Sequence, residues 1–343
     1  MQSFRILIRA SNWLGDSVIS VPAVRAIKSA RPDAHITVAA PKKIAALWKL
    51  VPEVDEIVAI SHRSLLSTAR SIRRQPRFDV TLLFPNSLRV ALESWLGGAP
   101  QRIGYRGHSR RWLLHTIVPE PAHLGPPQHQ AFHYLRIAQA LAHDDKQTLP
   151  APRPTLSPPR RATPQTSNLK SQKTAIGLCP GAEYGPAKRW LPERFAEAAE
   201  IIGEKHNVQW ILFGTNKDGA MGREIAEALG ESCLNRIGQT SIEQLIAELG
   251  SCRLLLTNDT GTMHLASLIG VPVAAIFGST EPRLTGPLGE DHVVLRHQVE
   301  CSPCFLRKCP IDFRCMKAVT VAEVVETISA MLARPAAAAG ADA

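Results

Sequence analysis

The stretch FRILIRASNWLGDSVISVPAVRAIKSARPDAHITVAA, residues 4–40, contains the repeating unit of the fold. FRILIRA predicts a buried strand, SVPAVRAIKSARP an amphipathic helix and HITVAA a second strand. A strand, a helix and another strand in succession are typical of a right-handed parallel crossover. The stretch therefore predicts an α/β fold built on a parallel sheet.

The same alternation continues along the chain. In the first half, KKIAALWKL predicts a helix, EIVAI a strand, SLLSTARSIRRQ a helix and DVTLLF a strand. In the second half, TAIGLC, VQWILFG, CRLLLTND and VPVAAIFG predict strands. PERFAEAAEIIGEKH, AMGREIAEALG, TSIEQLIAELG and TVAEVVETISAMLA predict helices. Thr240 and Glu243 have the spacing of a capping box that would begin the third of these helices.

A chain of 343 residues is long enough for two domains of about 150 residues each. Residues 149–173 are rich in Pro, Ser and Thr and have little to bury, which indicates a linker. We therefore predict an N-terminal domain over residues 1–150, a linker over 151–173 and a second domain over 174–320. A final helix would cover residues 321–334, and a frayed tail residues 335–343.

The whole excess of positive over negative charge lies in the first half of the chain. The net charge is +10, and residues 1–150 hold 20 of the 40 Lys and Arg residues but 10 of the 30 acidic residues. A one-sided basic domain is typical of a protein that faces an acidic partner. Aromatic residues make up 5%, and no nucleic-acid-binding signature is present, so we expect no nucleic acid partner.

Ligands of parallel sheets bind beyond the carboxyl ends of the strands, which selects a few loops. In the second half, residues 259–262 (DTGT) should lie at a helix N-terminus, where free N–H groups favour an anion. With Lys188 on a neighbouring loop, they predict a diphosphate site; the alternative is a plain turn with an Asp N-cap. Asp218 could bond ribose hydroxyls or be an exposed turn residue. The absence of G-x-G-x-x-G after any predicted strand, and of a Walker A sequence, argues against dinucleotide and triphosphate sites.

Asp16 follows Gly15 at the first strand-to-helix turn, so it is either an N-cap residue or a general base that faces a cleft between the domains.

Four cysteines, Cys301, Cys304, Cys309 and Cys315, have C-x2-C-x4-C-x5-C spacing. They could hold a metal or be reduced thiols in a loop whose Arg307, Lys308 and Arg314 contact an anion. No signal peptide pattern or run of about 18 apolar residues is present, so we expect a cytoplasmic location.

Five motifs extend over nearly the whole chain: SNWLGDS (residues 11–17), LFPNS (83–87), RIGYRG (102–107), CPGAEYGPAKRW (179–190) and TNDTGTMHLA (257–266). Together they resemble the bacterial ADP-heptose:lipopolysaccharide heptosyltransferases of glycosyltransferase family 9, and most closely the type II enzymes. The resemblance implies a GT-B fold: two facing Rossmann-like doubly wound domains, with the C-terminal helix crossing back to the first domain. It also implies an inverting transfer of L-glycero-D-manno-heptose from ADP-heptose to the first inner-core heptose of heptosyl-Kdo-lipid A.

Residue roles also follow from the resemblance. Asp16 resembles the base that takes the acceptor proton, and Lys188 the cation that stabilises the departing diphosphate. The residues implied at the nucleotide-sugar are Glu183, Lys188, Asp218, Thr240, Asp259, Thr260, Gly261, Thr262 and His264, although His264 could instead be packed in the core. Those implied at the acceptor are Asn12, Trp13, Arg63, Asn86, Ser87 and Arg106. A lysine with helix-terminus donors can stabilise a diphosphate, so no metal or other cofactor is expected.

Other assignments remain open at this point. The expected partners are ADP-heptose, the lipid A-Kdo-heptose acceptor and the anionic inner face of the cytoplasmic membrane, to which the protein would bind peripherally. One alternative is a heptosyltransferase of type I or III, or another GT-B enzyme with a different nucleotide-sugar. An alternative of a different class is a non-catalytic nucleotide-binding module that docks on membranes.

Overall fold

The computed structural model describes residues 3–61, 64–120, 126–143 and 173–335, with no side-chain description for 142 and 143. The chain divides into two compact units, Met1–Thr155 and Leu156–Ala343. The predicted linker (except Lys173) and the predicted tail (except Pro335) lie outside the described residues. The proposed domain boundaries therefore remain predictions.

The first unit is built on a parallel sheet of six strands within its described residues, in the order β3-β2-β1-β4-β5-β6. The central strand β1 pairs with β2 on one side and with β4 on the other. Ile6, Leu7 and Ile8 are fully buried, as expected for a strand that is covered on both faces. The strands are β1 (Arg5–Arg9), β2 (His35–Pro41), β3 (Glu56–Ile60), β4 (Val80–Leu83), β5 (Arg102–Tyr105) and β6 (Thr116–Val118).

Helices connect these strands, and one predicted helix has a different geometry. The α-helices are α1 (Leu14–Ile19), α2 (Val21–Ala30), α3 (Leu65–Arg73), α4 (Leu88–Leu96) and α5 (Ala131–His143). KKIAALWKL was predicted as an ordinary helix but forms a 3-10 helix, Lys42–Leu50. Its buried Ile44 and Leu47 are three residues apart and therefore lie on one line of such a helix. A short 3-10 turn, Arg111–Leu113, precedes β6.

The second unit has the same arrangement of strands. Its parallel sheet has the order β12-β11-β10-β7-β8-β9, which, like that of the first unit, is the 3-2-1-4-5-6 order of Rossmann domains. In both units, the first and fourth strands are neighbours, so the chain reverses its direction of winding between them. The strands are β7 (Thr174–Cys179), β8 (Val208–Leu212), β9 (Cys233–Asn235), β10 (Leu255–Asn258), β11 (Val273–Ile276) and β12 (Val293–Leu295).

Seven α-helices are described in the second unit, and the start of one corrects a prediction. They are α6 (Pro192–Lys205), α7 (Gly219–Leu229), α8 (Ile242–Gly250), α9 (Gly261–Leu268), α10 (Pro282–Thr285), α11 (Arg314–Ala318) and α12 (Val321–Ala333). The predicted capping box of Thr240 and Glu243 is wrong by one residue. Ser241 is the N-cap of α8, and Ser241 and Gln244 form the reciprocal hydrogen bonds. Both pairs have the same spacing, and only the backbone path decides between them.

The last helix, α12, packs against α6 of its own unit. The core beneath it includes Trp190, Phe195 and Trp210, all fully buried. Trp190 Nε1 donates to Val319 O at 3.1 Å, just before α12 begins. The return of this helix to the first domain remains a prediction. No helix among the described residues is long and apolar enough to span a bilayer.

A buried ion pair lies at the carboxyl end of β1. Arg9 and Glu93 are 1% and 0% exposed, and Nε and Nη2 of Arg9 both donate to Glu93 Oε2 at 3.2 Å. Arg89 donates to the other carboxylate oxygen at 2.8 Å. Arg9 also donates to Ala10 O at 2.5 Å and to Asn12 Oδ1 at 3.2 Å. The pair therefore fixes the start of the loop that leads to Asp16.

We predict that Glu93→Gln lowers the free energy of unfolding by about 3–5 kcal/mol, because it leaves the Arg9 charge buried without its carboxylate. Chemical denaturation with urea measures the change. The matched control is Glu53→Gln, which breaks an ion pair with Arg25 whose side chains are 19% and 24% exposed. It should cost clearly less, because water still reaches both charges. Equal losses in the two variants would contradict a structural role for the buried pair.

Candidate active site

The loop after β7, residues 180–189, is closed by one side chain that the sequence did not single out. Asn258, at the end of β10, is fully buried. Its Nδ2 donates to Pro180 O at 2.7 Å, and its Oδ1 accepts from Trp190 N at 2.9 Å. One amide therefore fixes both ends of the loop that carries Lys188.

Lys188 lies in the 3-10 turn Pro186–Lys188. Its ammonium group lies near the loops that follow β10 and β11. Lys188 Nζ is 2.5 Å from Asp259 Oδ2, and Thr280 Oγ1 donates to the same oxygen at 2.7 Å. The side chains of Lys188 and Asp259 are only 12% and 4% exposed. The structure therefore brings together the predicted Lys188 and Asp259 and adds Thr280, which the sequence analysis missed.

Helix α9 begins beside this ion pair. Its N-cap is Thr260, so the alternative of an Asp259 N-cap is wrong; no side-chain capping hydrogen bond is formed. Gly261 and Thr262 open the helix, whose free N–H groups are a suitable environment for an anion. Burial raises the pKa of the Cys179 thiol to about 11, an effect that a hydrogen bond with Thr262 partly opposes. Thr262 thus contacts the end of β7.

Three other residues predicted at the nucleotide-sugar occupy different environments. Asp218 is 6% exposed, which contradicts the exposed-turn alternative. Its Oδ2 accepts from the Thr215 backbone N–H and hydroxyl at 3.0 and 2.9 Å, and its Oδ1 accepts from Arg189 at 3.2 Å. Glu183 is exposed and pairs with Lys217 at 2.7 Å. Thr240 precedes the N-cap of α8, and contact of all three with a ligand remains a prediction.

His264 is 5% exposed, as its core-packing alternative requires. Its position in the second turn of α9 follows from Thr260 being the N-cap. Any contact between His264 and a ligand remains a prediction.

The four-cysteine segment, residues 301–315, packs against the Lys188 loop. Tyr184 Oη donates to Phe305 O at 2.7 Å, and Ala187 N donates to Arg307 O at 3.1 Å. All four of its cysteines are free thiols, and within the described ranges no three His, Cys, Asp or Glu side chains are arranged to hold a metal. Burial, reinforced by the other three cysteines of the segment, raises the pKa of Cys315.

Asp16 lies in the first turn of α1, after the N-cap Trp13, so its N-cap alternative is wrong. Ser11 Oγ donates to Asp16 Oδ2 at 3.3 Å, and Gln130 Nε2 donates to Oδ1 at 3.1 Å. Gln130 lies 114 residues away along the chain, and no local sequence pattern indicates the contact. Burial, together with the Asp16 charge, raises the pKa of the neighbouring Tyr134. The carboxylate is therefore held in one orientation while remaining partly accessible.

Four of the six predicted acceptor residues, Asn12, Trp13, Asn86 and Ser87, follow β1 and β4, whose carboxyl ends are adjacent. Asn12 accepts from Arg9, whereas Trp13 is 53% exposed, with Lys43 Nζ 5.5 Å from its ring centroid. Ser87 caps α4 by accepting from the Val90 N–H. Arg63 lies outside the described residues.

A buried guanidinium organises the remaining acceptor loops. Arg110 is fully buried and donates to Pro85 O at 2.5 Å, to Asn86 Oδ1 at 3.2 Å and to Tyr105 O at 2.7 Å. Burial lowers its pKa to about 10. It thereby connects LFPNS with RIGYRG, while Arg106 of the RIGYRG motif is exposed. The sequence analysis did not single out Arg110.

In both units, most of these polar residues follow the first and fourth strands of a Rossmann sheet, where such sheets bind ligands. This arrangement is typical of an α/β enzyme that binds an anionic or sugar ligand. Residues 65–313 match the model of glycosyltransferase family 9 (heptosyltransferase), so the chain belongs to that family. It is therefore a glycosyltransferase, as predicted.

Individual relatives agree with this assignment. The chain is 33% identical to lipopolysaccharide heptosyltransferase 2 of Escherichia coli, over 85% of this chain and 88% of that protein. It is 31% identical to lipooligosaccharide heptosyltransferase 2 of Haemophilus influenzae, with the same coverage. The solved structure of E. coli ADP-heptose lps heptosyltransferase II matches with a TM-score of 0.79 and 30% identity, over 96% of this chain and 98% of that one. The predicted α/β, GT-B fold class is thereby confirmed.

Proposed function

We propose that the protein transfers L-glycero-D-manno-heptose from ADP-heptose to the first inner-core heptose of heptosyl-Kdo-lipid A, with inversion. The observation that carries the proposal is the Lys188–Asp259 ion pair beside the N-terminus of α9, in a chain that is 33% identical to a heptosyltransferase 2. A cation and free helix N–H groups suit a diphosphate leaving group.

In the proposed reaction, one carboxylate oxygen of Asp16 accepts the proton of the acceptor hydroxyl as its oxygen attacks the anomeric carbon of heptose. The bond between that carbon and the diphosphate oxygen breaks, and its electron pair leaves with ADP. Lys188 and the N–H groups at Thr260, Gly261 and Thr262 stabilise the charge that develops on the phosphate oxygens. One direct displacement inverts the anomeric carbon, so a second carboxylate nucleophile is not required.

The remaining assignments are proposals of the same kind. Asp259 would hold heptose hydroxyls with its free lone pairs, and Glu183, Asp218, Thr240 and His264 would complete the donor site. The acceptor would contact Asn12, Trp13, Asn86, Ser87, Arg63 and Arg106. The reaction would require no metal, and the protein would act in the cytoplasm at the anionic inner face of the membrane. The charge of residues 1–150 supports such a partner, since this part of the chain contains 20 basic residues and only 10 acidic ones.

The direct test is transfer from ADP-heptose to Kdo-lipid A acceptors that carry zero, one or two heptoses, with products measured by mass spectrometry. We expect product only with the one-heptose acceptor. Product with the heptose-free or two-heptose acceptor instead would identify a type I or type III activity. ADP binding without transfer to any acceptor would favour a non-catalytic module.

A second prediction concerns the base. Asp16→Asn should lower kcat at least about a hundredfold, because the amide cannot accept the acceptor proton, and should leave ADP affinity unchanged. Steady-state kinetics and calorimetry measure the two quantities. Asp33→Asn, a change at an exposed carboxylate of the same unit, is the matched control and should keep full activity. Near-normal turnover in Asp16→Asn would remove Asp16 from this role.

A further inference from the structure

The four-cysteine segment forms part of the surroundings of Lys188. Besides its contacts with Tyr184 and Ala187, Phe305 N donates to Ser279 O at 2.8 Å. Gly185 lies so close that an added Cβ would be 2.4 Å from Arg307 O. The segment is therefore hydrogen-bonded to the loop that carries Lys188 and to the loop that carries Thr280.

The same segment presents a second cation on the aromatic ring that Lys188 also contacts. Arg307 Cζ lies 5.2 Å from the centroid of the Tyr184 ring, and Lys188 Nζ lies 5.0 Å from the same centroid. Tyr184 therefore contacts both cations. Stacking on an aromatic ring orients the planar guanidinium, although Arg307 itself is exposed.

The charges of the neighbouring cations single out Arg307. Three cations on or beside the Lys188 loop each have a carboxylate partner, in the pairs Lys188–Asp259, Arg189–Asp218 and Lys217–Glu183. Arg307 forms no ion pair with any carboxylate in the part of the chain that the structure describes. By contrast, Arg314 of the same segment pairs with Asp312 and Glu300. A diphosphate needs a net positive environment, which Arg307 supplies and the three paired cations do not.

We propose that Arg307 is a second binding residue for the diphosphate of the donor, presented next to Lys188 by the four-cysteine segment. The inference rests on the proposed function, because it assumes that the Lys188 site takes a nucleoside diphosphate. Of the three cations that the sequence offered in this segment, the structure favours Arg307. The segment thereby has a role that requires no metal.

The contacts of Arg307 permit a clean experiment. Its backbone carbonyl accepts a hydrogen bond from Ala187 N and so joins the segment to the Lys188 loop. Its side chain provides the positive charge and the contact with the Tyr184 ring. Substitution of the side chain therefore keeps the backbone contact. Arg307→Met keeps the apolar stem on Tyr184 and removes the charge, and Arg307→Lys restores the charge without the planar group.

The test measures ADP and AMP binding to the full-length protein by calorimetry. Arg307→Met should raise the Kd for ADP about tenfold, with a smaller change for AMP, as expected for losing one charged hydrogen bond. Arg307→Lys should recover part of the loss. Lys308→Ala, the loss of the next cation in the same segment, is the matched control and should bind ADP like the wild type. Lys188→Ala should weaken ADP binding in any case.

Each outcome decides the inference. Wild-type ADP affinity in Arg307→Met, with weak binding in Lys188→Ala, overturns the role of Arg307 and leaves the donor site intact. Equal losses in Arg307→Met and Lys308→Ala overturn it as well, because they indicate a general effect of charge. Equal weakening of ADP and AMP in Arg307→Met would indicate a structural disturbance and also overturn it. Wild-type ADP affinity in both Lys188→Ala and Arg307→Met would overturn the donor site itself.

Discussion

The ion pair between Lys188 and Asp259 connects loops that are 71 residues apart in the chain. Its two side chains are almost fully buried, so removing either partner would leave an uncompensated charge. The constraint extends to the neighbouring elements: Thr280 donates to the same carboxylate oxygen, and Asn258 closes the Lys188 loop. Lys188 is therefore held in place before a ligand arrives, which reduces the reorganisation needed during the reaction.

The sheet explains why these residues meet. In the second unit, β10 lies between β7 and β11, and all three strands are parallel. The loops that follow them therefore emerge at one edge, where Lys188, Asp259 and Thr280 come together. The first unit repeats the arrangement, with β1 between β2 and β4 and with Asp16 after β1. Each unit thus places its proposed catalytic side chain, Asp16 or Lys188, after the first of the two strands between which the winding reverses.

Eight of the twelve strands that the structure describes, and most of its longer helices, could be predicted. The strands were found because burial on both sheet faces produces apolar runs, as in residues 6–8 and 254–256. Short edge strands such as Cys233–Asn235 lack that signal, since they are only partly covered. Lys188, Asp259 and Asp16 were predicted as site residues because each lies in a short motif that resembles those of a known family. Gln130, Asn258 and Arg110 were missed, because their roles depend on contacts with residues far away in the chain. The capping box was misplaced by one residue, since the sequence offers two pairs with identical spacing.

The central claim is that Lys188 is held ready for a diphosphate. A crystal structure of the complex with ADP tests it most directly. The account predicts a phosphate oxygen within about 3 Å of Lys188 Nζ, with the other phosphate oxygens facing the N–H groups at the start of α9. A diphosphate that is bound elsewhere, with Lys188 still paired only with Asp259, would contradict it.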